Sequence, residues 1–87
     1  MGDILIVFSS STTANRLKKL AFKNQIKGVS MVQTPKAISK DGCTYSLRCS
    51  AGQVSELTAL ADEYGIRYNK IYREYLDMDG LKSYEPY

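Results

Sequence analysis

Two stripes of apolar residues at helical spacing, each introduced by an extended segment, constrain this chain more than any other feature. The first is Ala14, Leu17, Leu20 and Ala21; the second is Val54, Leu57, Leu60, Ala61 and Tyr64. Spacing of i, i+3 and i+4 gathers each set on one side of a helix, and that side must be buried. Ahead of the first stripe lies "ILIVF", residues 4–8, the longest apolar run. It is apolar on both faces and reads as a central strand. "SSSTTA" follows, with Ser10 or Ser11 as helix N-cap. The first helix runs to about Gln25, with Gly28 as its stop signal. "VSMVQ" reads as a second strand and "TPKAISKDG" as a loop, where Pro35 lacks a backbone donor and Asp41-Gly42 signals a turn. "CTYSLRCS" is a third strand, with Tyr45, Leu47 and Cys49 on one face and Thr44, Ser46, Arg48 and Ser50 on the other. Ser50 and Gln53 have the spacing of a capping box for the second helix, which Gly65 ends. "IRYNKIY", residues 66–72, is the fourth strand.

The order β-α-β-β-α-β predicts an α+β, ferredoxin-like fold: a four-stranded antiparallel sheet with two helices on one face. Residues 1–74 are expected to form this domain. Residues 75–87 form a C-terminal tail with Tyr75, Leu76, Met78, Leu81, Tyr84 and Tyr87. That tail is apolar enough to dock on the open sheet face or on a partner, and a homodimer through sheet or tail is one expectation.

Length and composition narrow the function classes. Eighty-seven residues make one small domain with a modest core, and a deep cleft within one subunit is not expected. No apolar run approaches the ~20 residues that span a bilayer. The start, "MGDILIVF", lacks a positive n-region and a cleavage site, so a cytoplasmic location without membrane contact is expected. Between residues 4 and 40 there is no Asp or Glu, while Arg16, Lys18, Lys19, Lys23, Lys27, Lys36 and Lys40 all fall there. Such a split points either to an anionic partner or to a solvated basic helix face.

The two cysteines take different roles. If residues 43–49 are extended, their Cα atoms stand ~20 Å apart, against the ~7 Å that a disulfide tolerates. They are therefore thiols unless the chain bends sharply or two subunits meet. Cys49 shares its strand face with Leu47 and reads as core. Cys43 sits where a Gly-containing loop meets a strand, a place that exposes a side chain on a rigid support. Lys36 and Lys40 are close in sequence and favour a thiolate, whereas Asp41 opposes it. The sequence has no histidine, so a Cys-His nucleophile is excluded within this chain, and no ligand cluster for a metal is evident. What remains for Cys43 is thiol exchange, metal binding, or carriage of a transferred sulfur or selenium atom.

The segments "ILIVFSSSTTANRLKKL", "VQTPKAISKDGCTYSLRCS" and "YGIRYNKIYR" resemble the putative selenium/sulfur carrier-like family of short bacterial domains, over roughly residues 3–74. The resemblance implies that Pro35 and Lys36 match the family's proline and basic position, Ser39 its loop serine, and Cys43 its cysteine. It implies that Cys43 carries sulfur or selenium as a persulfide or its selenium equivalent. Lys36, Ser39 and, from its closeness in sequence, Lys40 are the expected substrate-binding residues; a donor and an acceptor protein are the expected partners, and no cofactor is expected. Thr44 stands where the family usually has glycine, and Lys36 where arginine is common. A carrier or binding protein, rather than a self-contained catalyst, is the expectation. The alternative is a small non-enzymatic regulatory or protein-interaction domain. An RNA-binding module would use the same sheet, but "CTYSLRCS" lacks the aromatic pattern of that class, so nucleic acid is not the expected partner.

Overall fold

The computed structural model describes residues 3–38 and 44–87. Strand β1 (Ile4–Phe8) leads into helix α1 (Ser11–Lys23), then strands β2 (Ser30–Gln33) and β3 (Tyr45–Cys49), helix α2 (Val54–Glu63), and strands β4 (Ile71–Leu76) and β5 (Lys82–Pro86). The strands form one antiparallel sheet in the order β2-β3-β1-β4-β5. The fold is α+β with two helices, as expected, but the sheet has five strands rather than four.

β1 is central because every one of its residues is apolar and buried. Ile4, Ile6 and Phe8 face the helices and join Leu47 and Cys49 of β3 in one core with Ala14, Leu17, Leu57 and Ala61. Leu5 and Val7 point to the opposite face, where their cross-strand partners include Arg48, Tyr72 and Ser46. The helix starts follow the sequence signals. Ser10 is the N-cap of α1, its side chain accepting from the Thr13 N–H. The Ser50–Gln53 box is present, the Ser50 N–H donating to Gln53 Oε1 at 3.0 Å, but it heads a 3-10 turn, Ala51–Gln53, that precedes α2.

Both helices end on the same device. In α2, Gly65 is left-handed (φ 67°) and the Ile66 N–H reaches back to the Ala61 carbonyl at 2.8 Å. In α1, which ends at Lys23 rather than about Gln25, Gln25 is the left-handed residue (φ 60°) and the Ile26 N–H reaches the Ala21 carbonyl at 2.9 Å. This is the Schellman arrangement, completed by an apolar residue that packs back on the helix. Ile26 and Ile66 are those residues, both buried in the core.

The fourth strand lies at 71–76 rather than 66–72. Ile66 is committed to capping α2, and the chain first crosses back along β1 through the Asn69 N–H to Val7 carbonyl bond before β4 pairs in register. Residues of the expected tail then continue the sheet: β5 pairs with β4 from Tyr72–Pro86 to Leu76–Lys82. Asp77 builds the connecting turn. Its backbone N–H donates to the Leu81 carbonyl, and its side chain accepts from the backbone N–H groups of Asp79 and Leu81. Gly80 supplies the left-handed residue (φ 78°). β5 is an edge strand. The Tyr87 N–H to Ile71 carbonyl bond fixes the alternation, so Lys82, Tyr84 and Pro86 turn their backbone groups outward. Pro86 lacks a donor there and sacrifices no ladder bond.

Candidate functional site

The loop between β2 and β3 rises from a fixed stem. The ladder runs from Ser30–Arg48 to Gln33–Tyr45 and continues one step as the Thr34 N–H donates to the Thr44 carbonyl at 3.1 Å. Beneath it, the Thr34 and Ser46 hydroxyls share a hydrogen bond of 2.7 Å, with Ser46 fully buried. Thr44, the neighbour of Cys43 in sequence, is thus tied to the sheet. On the other limb, the Ile38 N–H donates to the Pro35 carbonyl at 3.1 Å and closes a turn that leaves Lys36 exposed. Ser39, Lys40 and Cys43 lie outside the described residues.

The stem opens at the end of the sheet where β1 finishes and α1 begins, since Phe8 pairs with Tyr45. Beyond that pair, Ser9 lines a cavity of about 450 Å³ together with Thr13, Arg16, Arg67 and Asn69. The Ser9 hydroxyl donates to Asn69 Oδ1 at 3.0 Å. Neither Arg16 nor Arg67 makes an ion pair among the described residues. Arg16 and Arg67 therefore bring to this cavity two guanidinium groups without ion-pair partners among the described residues, a setting that favours an anion.

Cys49 lies at the other end of β3, paired with Ile4 and 2% exposed. Burial first, and the nearby Asp3 charge second, push its thiol up to about 11. Such a group is protonated at neutral pH and is a poor nucleophile. Among the described residues no group of three or more His, Cys, Asp or Glu is placed to hold a metal ion. No helix of the described chain is long and apolar enough to cross a membrane.

One polar cluster was not read from the sequence. On the sheet face opposite the helices, Arg48 donates to Glu74 Oε1 at 2.6 Å and Oε2 at 3.3 Å, and to Asp3 Oδ2 at 2.9 Å. The Tyr84 hydroxyl donates to Glu74 Oε2 at 2.8 Å. The Arg48 hydrogen bond, opposed by burial, holds the Glu74 carboxyl below the usual carboxylate range. Burial and then the Glu74 contact raise the Tyr84 phenol. Every charge in this cluster has a partner, which reads as architecture: it ties β3, β1, β4 and β5 together across the sheet. Only the register brings residues 3, 48, 74 and 84 side by side.

The chain matches no curated protein and no solved structure. A family model described as "Putative Se/S carrier protein-like" matches residues 3–73, from the start of the central strand into β4, and the chain belongs to that family.

Proposed function

We propose that the protein is a sulfur or selenium carrier that holds the transferred atom on Cys43. Family membership supports the class of function. The observation that carries the choice of residue is the burial of Cys49, which removes the second thiol from nucleophilic chemistry. In the loading step the Cys43 thiolate attacks the outer sulfur of a donor persulfide. The donor's S–S bond breaks, its cysteine leaves as thiolate, and Cys43 gains the S–SH group. An acceptor nucleophile then takes that sulfur and Cys43 leaves as thiolate; the selenium reaction has the same balance. Lys36 and Lys40 favour the thiolate by charge, and Ser39 offers a hydroxyl to the bound group. Thiol carriage of this kind belongs in a reducing compartment, the cytoplasm. We read β1 to β4 with the two helices as a ferredoxin-like unit that β5 extends.

Intact mass after incubation with a cysteine desulfurase and cysteine tests this. One added sulfur, mapped to Cys43, is expected. Cys43→Ser should abolish it with the fold unchanged, and Cys49→Ser should retain it. No added mass, or sulfur on Cys49, overturns the assignment. A second reading, a non-enzymatic interaction domain, draws on the exposed Leu76, Met78 and Leu81 around the β4–β5 turn.

A further inference from the structure

Two exposed surfaces of this chain complement each other. The first is the β4–β5 turn. Met78 is 103% exposed, Leu76 67% and Leu81 65%. Apolar side chains this open on a mobile loop would mean little, but Asp77 fixes this turn through three hydrogen bonds from Asp79, Leu81 and Ser83. The turn therefore presents its apolar groups on a rigid support, beside the Asp79 carboxylate, which has no ion-pair partner among the described residues. The second surface is the outer face of α1. Phe22 is 84% exposed there and, with Asn15, Lys18, Lys19 and Lys23, lines a shallow groove of about 400 Å³. The first is apolar, with Asp77 and Asp79 against one flanking base, Lys82; the second is apolar with three lysines and no acid.

Both surfaces lie toward the same end of the sheet. β1 starts at Ile4, opposite Arg73, so the β4–β5 turn at 77–81 projects past that end. α1 follows β1 after two residues and returns to the start of β2 at Ser30, which pairs with Arg48 next to Leu5. The C-terminal half of α1, with Phe22, therefore lies at that end too. The turn belongs to the β4–β5 edge, and α1 packs over β1, β3 and β2. With turn and groove toward the same end, a two-fold arrangement can pair each copy's turn with the other's α1 face.

We propose that the protein forms a two-fold dimer in which the β4–β5 turn of each protomer, with Leu76, Met78 and Asp79, docks on Phe22, Lys19 and Lys23 of its partner. Two identical contacts close the assembly, so it stops at two copies. The acid-free stretch from residue 4 to 40 gives the α1 face no carboxylate of its own to compete with Asp79.

Sedimentation velocity over a concentration series, at low and physiological salt, tests the proposal. A monomer–dimer equilibrium that weakens with salt is expected. Phe22→Asp and Met78→Asp change exposed positions and should leave the circular dichroism spectrum intact. Each should weaken association about tenfold or more, the loss typical of an apolar anchor. An equimolar mixture of the two variants should associate better than either alone. The intact turn of the Phe22→Asp chain meets the intact α1 face of the Met78→Asp chain, which restores one of the two contacts. A monomer at all concentrations overturns the proposal. So does a dimer that Met78→Asp breaks and Phe22→Asp does not, which would place two turns against each other, or a mixture of folded variants that fails to recover.

Discussion

Replacing Arg48 with leucine should cost the fold about 3 kcal/mol at neutral pH. The Glu74 side chain is only 9% exposed, and three hydrogen bonds hold it: two from Arg48 and one from Tyr84. Leucine removes the charge partner and leaves the carboxylate with Tyr84 alone. Stranding one member of a buried pair costs ~3–5 kcal/mol. The low end applies because the Arg48 side chain is 27% exposed and water reaches it. The bond to Asp3, itself half exposed, adds little. The pH dependence has a definite sign. In the wild type, Arg48 lowers the Glu74 carboxyl, so the pair's contribution is present above the unfolded-state value of ~4.3 and is lost as pH falls through the folded-state value. In the variant the guanidinium's lowering effect is gone and burial is opposed only by the Tyr84 hydrogen bond and Lys82, so the carboxyl lies higher than in the wild type. The deficit is then largest at neutral pH and shrinks as Glu74 takes up its proton. Urea denaturation at pH 7 and pH 4, with unchanged slope, should show the gap narrowing. Arg48→Leu/Glu74→Leu should recover to within about 1 kcal/mol of the wild type, since no charge is stranded. A deficit under 1 kcal/mol at pH 7, a gap that does not narrow at pH 4, or a double variant as weak as the single would refute the reasoning.

Three further outcomes are expected. Gln25→Gly should stabilise by up to about 1 kcal/mol: a left-handed L-residue costs ~1–2 kcal/mol, partly offset by the chain entropy of glycine at ~0.5–1 kcal/mol; Gly65→Gln, at the same position after α2, should destabilise, and thermal melts read both. Ser46→Ala should cost about 1–2 kcal/mol by leaving the buried Thr34 hydroxyl unpaired, and adding Thr34→Val should restore most of it in denaturant titration. Cys49 should resist alkylation until the protein unfolds, and Cys49→Ser should lower stability by about 1–3 kcal/mol.

The helices were legible because their stripes, caps and stop signals lie within a few residues of each other: Ser10 and Gly65 act where the sequence places them, and the Ser50–Gln53 box forms, though on the 3-10 turn ahead of α2. Gln25 was not legible as a helix end, since nothing in its side chain announces a left-handed backbone. β5 was hidden for a different reason. Lys82, Ser83, Glu85 and Pro86 lack the apolar alternation of a half-buried strand, because an edge strand buries little. β4 was displaced because the alternation from Ile66 onward is poor and does not reveal that Ile66 belongs to the end of α2. At the candidate site, the stem could be read as a strand end. The hydroxyl pair beneath it and the Arg48–Glu74–Tyr84 cluster depend on register between distant segments, which local pattern does not encode.

The central position of β1 bears on how the chain is made. Its two neighbours in the sheet contain Cys49 and Arg73, both paired with Ile4, so this strand is flanked by strands that are synthesised after it. At ~5–20 residues per second, the ribosome leaves "ILIVF" without its β4 partner for several seconds. An unpaired apolar strand of this kind is a template for intermolecular pairing. The next element to emerge, α1, carries Arg16, Lys18, Lys19 and Lys23 and no acid, the charged flank that holds nascent apolar segments apart.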